Sequence, residues 1–172
     1  MKRIILILAL CLPLVILAQK INRTEIEPKK NQEILIGYCN KDGFKLIHSF
    51  DSAYQVEYKL YHADSSFIKK IPSKLKGVKI TLIMGSWCGD SREWVPRFCK
   101  IMDAAGFNYR KNLAIICVDR DKKAPGTPVD QLKIERVPTF IFTKKGKELG
   151  RIVESPMDIF EKEIVRILSI QG

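Results

Sequence analysis

Two short apolar runs, residues 78–84 and 113–118, with a helix-patterned stretch at 91–105 between them, constrain this chain more than any other feature. Each run has the length and composition of a buried strand, and Gly106 stops the helix. Residues 119–130 read as a loop carrying Pro125, Gly126 and Pro128, followed by a short helical piece around 131–134. Residues 139–143 and 148–153 form a hairpin pattern that turns at 144–147. Pro156 is placed to open a last helix with Ile159, Phe160, Ile164, Ile167 and Leu168 on its apolar side. Strand, helix, strand, hairpin and helix in that order specify an α/β sandwich.

Upstream, Phe44, Ile47, Tyr54, Tyr58 and Tyr61 follow a helical spacing, with Asp51 as the expected N-cap. Ser65 is the expected cap of a second helix carrying Phe67, Ile68, Ile71 and Leu75, which Pro72 interrupts. Residues 44–76 are thus expected to form a helical extension and 77–172 the main domain. Residues 19–43 are expected to be a loose leader, because 20–33 are polar and basic with Pro28 among them.

Residues 1–18 have the pattern of a signal peptide: Lys2 and Arg3, then an apolar run from Ile4 to Ala18, which offers a small residue for cleavage. As a helix this run spans about 22 Å of a roughly 30 Å hydrocarbon core, and Pro13 breaks it. The expectation is a secreted or periplasmic protein that meets a membrane only through the uncleaved signal. Cleavage lowers the net charge from +11 to +9 and leaves Cys39, Cys88, Cys99 and Cys117 in an oxidising compartment. Aromatics are not interleaved with Lys and Arg, so no nucleic-acid face is expected. His48 and His62 have no ligand spacing with Cys39, so neither a metal nor a cofactor is expected.

Cys88 stands where the first apolar run gives way to the helix. The free N–H groups of a helix's first turn favour a thiolate there, while the negative charge of Asp90 opposes it. Trp87 shields one side, and Ser91 is within reach to donate a hydrogen bond to the sulfur. Arg120, Lys122 and Lys123, after the second run, read as a solvated loop near the same edge.

The segment Trp87-Cys88-Gly89-Asp90-Ser91 resembles the Trp-Cys-Gly-Pro-Cys motif of the thioredoxin family. Pro96 matches the proline that kinks the first long helix of that family. Val137-Pro138-Thr139 resembles its cis-proline turn, and Gly146 matches the glycine of the hairpin that follows. The likeness covers about residues 78–170. It implies a thioredoxin-like fold, a central mixed sheet with flanking helices, here preceded by a helical N-terminal extension. It further implies Cys88 and Ser91 as the catalytic pair, and Trp87, Gly89, Asp90, Val137, Pro138 and Thr139 as the substrate groove. The whole chain is similar to secreted bacterial members carrying Trp-Cys-Gly-Asp-Ser.

The departures from the family narrow the chemistry. Ser91 replaces the resolving cysteine and Asp90 the intervening proline. Leu82 occupies the position of a buried aspartate and Ile115 that of a nearby lysine, while Glu154 replaces a groove glycine. With no second thiol to deprotonate, a buried carboxylate would only cost desolvation. Cys99 is about 16 Å from Cys88 along one helix, too far for a disulfide. Cys117 reads as core, which leaves Cys39 as the one internal candidate for a resolving thiol. The implied partners are protein thiols or disulfides, with a small thiol or a reductant protein completing turnover. The alternative is a redox-inactive thioredoxin-fold module for peptide binding or assembly.

Overall fold

The computed structural model describes residues 20–170; the expected signal peptide lies outside them. The described residues begin with a hairpin, strand β1 (Arg23–Glu27) and strand β2 (Gln32–Cys39), paired antiparallel. The expected loose leader is therefore an ordered part of the sheet. Ile34, Leu35 and Ile36 are buried, so this short run, set among polar residues, has apolar surroundings on both faces.

A 3₁₀ turn, Lys41–Leu46, leads into helix α1 (His48–Leu60). Asp51 lies in its first turn, but no side chain caps the helix. Helix α2 (Ser65–Ile68) is a single turn capped by the Asp64 side chain rather than by Ser65, and Pro72 opens a separate 3₁₀ turn.

The main core then follows the expected order. Strand β3 (Val78–Met84) leads to helix α3 (Gly89–Ala104), the short helix α4 (Tyr109–Asn112) and strand β4 (Leu113–Cys117). After a 3₁₀ turn at Val129–Leu132 come strands β5 (Thr139–Lys144) and β6 (Lys147–Val153), joined through Lys145 and Gly146, both at positive φ. Helix α5 (Phe160–Leu168) starts four residues after Pro156, later than the proline suggested. The intervening loop is held instead by Glu163, which accepts the Met157 N–H at 2.8 Å.

The sheet order is β1-β2-β4-β3-β5-β6. β3 and β4 are parallel and the other neighbours antiparallel, so the sheet is mixed. One face carries the larger core, where α1, α3 and α5 pack; Phe98 of α3, Phe140 of β5 and Phe160 of α5 meet there with centroids 4.8 and 5.5 Å apart. Each such buried ring contributes about 1.5–3 kcal/mol. Leu82 faces this core, in register with Ile115 and Phe140. The opposite face is smaller. Ile36, Ile83, Ile116 and Val118 are covered there by Ala124, Val129 and Val137 of the connecting loops. No helix among the described residues is long and apolar enough to cross a membrane.

Candidate active site

β3 ends at Met84, and the chain turns through Gly85, Ser86 and Trp87 to Cys88. The Cys88 N–H donates to the Gly85 carbonyl at 2.9 Å, closing the turn. The Cys88 carbonyl accepts the Arg92 N–H at 3.2 Å, the first bond of α3. Extended backbone at Cys88 (φ −86°, ψ 133°) carries its side chain off the helix end. The sulfur is partly exposed, and its S–H donates to the Val137 carbonyl at 3.2 Å. The Val137–Pro138 peptide is cis.

Trp87 beside it is anchored, its Nε1–H donating to the Val118 carbonyl at 2.8 Å. The ring packs so close to Gly85 that a Cβ there would lie 2.6 Å from Trp87 Cε2. Gly89 and Asp90 are exposed at the start of α3. Ser91 is fully buried, and its Oγ accepts the Gly85 N–H at 3.3 Å. The serine thus braces the turn; the hydrogen bond expected from its hydroxyl to the sulfur is not made, and the Cys88 thiol donates to Val137.

Beyond the cis peptide, the buried Thr139 donates its Oγ1–H to the Arg136 carbonyl at 2.7 Å. The Glu154 N–H donates to the Pro138 carbonyl at 2.7 Å, with Glu154 at φ +61°. That left-handed backbone explains why glycine suits the position in related chains. The Glu154 carboxylate pairs with Arg136 at 2.7 Å on the rim.

Sequence reasoning missed the third wall. β2 pairs with β4 only from Gly37 to Cys39, and beyond that the Ser86 hydroxyl accepts the Leu35 N–H at 3.0 Å. The far half of the hairpin therefore stands beside the Cys88 turn. Its last β1 residue, Glu27, is 3% exposed and accepts Arg120 Nε–H at 3.1 Å. Arg120 Nη2 also donates to Gln32 Oε1 at 3.4 Å, and the guanidinium lies 4.7 Å from the Trp87 ring centroid. Arg120 is thus a structural latch, whereas Lys122 and Lys123 keep to the loop. No local pattern announces a pairing between a leader glutamate and a loop arginine.

The other thiols are set apart from Cys88. Cys39, Cys99 and Cys117 belong to the helix-side core, whereas Cys88 packs against the smaller core of the opposite face. Cys39, the one internal candidate for a resolving thiol, is therefore ruled out: strand alternation turns it to the opposite face. Burial pushes the Cys99 thiol up to about 11. His48 and His62 are exposed, and no group of three or more His, Cys, Asp or Glu among the described residues is arranged to hold a metal ion.

Three comparisons bear on this arrangement. The family model described as thioredoxin matches residues 59–165, more than half of the chain. Mitochondrial thioredoxin O of Oryza sativa subsp. japonica is 31% identical over 104 residues; the match covers 55% of this chain and 57% of that relative. The chain thus spans little more than half the length of that curated relative. A protein of unknown function from Pseudomonas aeruginosa aligns with a TM-score of 0.56 at 14% identity, over 78% of this chain and 92% of that one. Mitochondrial thioredoxin 3 of Saccharomyces cerevisiae, in its oxidised form, aligns at 0.37 and 22% identity, over 63% and 96%.

Proposed function

Since the chain belongs to the thioredoxin family, we propose that it is a monothiol thiol–disulfide exchange protein of the cell envelope, with Cys88 as its attacking sulfur. The observation that carries the reading is the isolation of Cys88: a partly exposed thiol at a helix start, with the other described cysteines enclosed in the opposite core.

The exchange follows from the groups present. The Cys88 thiolate attacks one sulfur of a substrate disulfide. A Cys88–substrate bond forms, the substrate S–S bond breaks, and the departing sulfur leaves as a thiolate that takes up a proton. Ser91 cannot perform the second attack, because a hydroxyl does not displace a thiolate from a disulfide under these conditions. Resolution falls to a thiol from outside: the substrate's own cysteine, which returns a rearranged disulfide, or a small thiol or reductant protein, which returns reduced substrate. Trp87 flanks the sulfur on one side, and the buried Val137-Pro138-Thr139 turn backs it on the other through the Val137 carbonyl. The envelope location rests on the apolar segment Ile4 to Ala18.

The test is to trap the intermediate. Purified protein is mixed with a disulfide-bonded peptide, quenched with acid and mapped by mass spectrometry. A peptide adduct on Cys88 that disappears on addition of a small thiol supports the reading. A fold used only for binding would retain the peptide non-covalently and equally well after Cys88→Ser.

A further inference from the structure

Cys39 and Cys117 lie on neighbouring antiparallel strands. The register sets Cys39 opposite Ile115 and Cys117 opposite Gly37, so the two cysteines are diagonal neighbours on one face of the sheet. Both face the helix-side core, and the Cys39 S–H donates to the carbonyl of Gly37, the residue paired with Cys117, at 3.5 Å. Gly37, directly opposite Cys117, contributes no side chain between them, and its φ of +80° bends β2 at this point. Burial, and then the contact with Cys39, holds the Cys117 thiol well above its ordinary range. Access is one-sided. Cys117 is closed off, whereas Cys39 is 6% exposed and lines a cavity of about 380 Å³ with Ile21, Lys41, Tyr109 and Arg110.

We propose that Cys39 and Cys117 form a second redox couple of this protein, closing to a disulfide that staples β2 and its hairpin to β4. The oxidant is a low-molecular-weight disulfide entering by the cavity. Cys39 attacks it: a mixed disulfide forms, the reagent's S–S bond breaks, and one small thiol leaves carrying the Cys39 proton. Cys117 then attacks the Cys39 sulfur, and the second small thiol leaves with the Cys117 proton. Two protein thiols are oxidised and one external disulfide is reduced to two thiols. Diagonal neighbours sit about 7–8 Å apart at Cα, and a disulfide spans up to about 6.8 Å, so closure draws the strands together by about 1 Å. The β2–β4 ladder has only three residue pairs, which leaves it room to adjust. The couple lies on the face away from Cys88, so it does not resolve the Cys88 intermediate. It acts on the hairpin that holds Arg120 against Trp87.

The experiment uses the full chain, wild type and Cys88→Ser, equilibrated with glutathione disulfide. Free thiols are blocked with N-ethylmaleimide, and non-reduced digests are mapped. The expected product in both proteins is a peptide pair joined through Cys39 and Cys117, with a raised thermal midpoint that dithiothreitol reverses. In Cys117→Ala, Cys39 stops at the glutathione adduct. Recovery of Cys39 and Cys117 as separate maleimide or glutathione adducts in the oxidised wild type overturns the proposal. That outcome is read in the native sequence, whether or not the variant folds, and it is independent of what Cys88 does.

Discussion

Glu27 and Arg120, 93 residues apart in the chain, meet in a 3.1 Å ion pair whose carboxylate is 3% exposed. Burial works against ionisation of Glu27, but the Lys29 N–H, Arg120 and the Lys30 N–H together hold its carboxyl below the ordinary 4.5. Through this pair an N-terminal hairpin fixes the guanidinium that covers Trp87.

Glu27→Gln is therefore expected to lower the thermal midpoint at pH 7 and to alter the Trp87 fluorescence. A depressed folded-state value means the pair's stabilisation is complete above about pH 4.5 and is lost as the pH falls through the lower folded-state value. Thermal melts from pH 7 to pH 3 check this. The gap between wild type and Glu27→Gln narrows on acidification, and a gap constant with pH would show that the charge is not what matters.

Gly85→Ala is expected to unseat Trp87, because the added methyl would lie 2.6 Å from the ring. Overpacking of this kind costs about 1–3 kcal/mol. Denaturant melts give the cost, and loss of the Trp87–Val118 hydrogen bond appears as faster exchange of the indole N–H by NMR.

Leu82→Ala is expected to cost about 2–5 kcal/mol, since Leu82 is fully buried between Ile115 and Phe140. Leu82→Asp is expected to be worse, for it places a carboxylate in that core between the apolar paired residues Ile115 and Phe140. Urea denaturation of the two variants, ranked against wild type, is the check.

The βαβ-hairpin-α core was legible because its elements announce themselves. β3 and β4 are short, mostly apolar runs, Gly106 and Gly146 punctuate the chain, and Cys88 stands at a strand-to-helix corner. The hairpin was not legible, since β1 mixes Arg23, Glu25 and Glu27 with an exposed Ile26, so its burial pattern imitates a loop. Pro156 misled for a related reason: a proline suits the first turn of a helix, but here the loop to Phe160 is organised by Glu163, a long-range contact with no local signal. The site itself divides the same way. Trp87, Cys88 and the Val137–Pro138 turn are local motifs, whereas the Glu27–Arg120 latch and the Ser86–Leu35 bond exist only once β2 has joined the sheet. Ser91 lies in the first turn of α3, as its sequence position suggested, but its partner is Gly85, because the helix carries its hydroxyl inward.

Ser91→Cys is expected to form a disulfide with Cys88. Residues three apart at a helix start have their Cα atoms about 5 Å apart, inside the roughly 4.4–6.8 Å that a disulfide spans. The variant should reduce insulin with dithiothreitol, and the wild type should do so little. Leu82, in place of an acid, supplies no base for the new thiol, so activity should stay modest. Turbidity assays with mass mapping of the 88–91 bond check this, and equal activity in wild type would show that Ser91 is not the missing function.

The central claim is that Cys88 is the reacting sulfur, and the most direct measurement is the native-state rate of iodoacetamide modification at each cysteine, resolved by peptide mapping. The account predicts that Cys88 is modified well before Cys39, which reagents reach only through its cavity, and that Cys99 and Cys117 react only as the protein opens. A Cys88 that is modified no faster than Cys117 in the folded protein would contradict it.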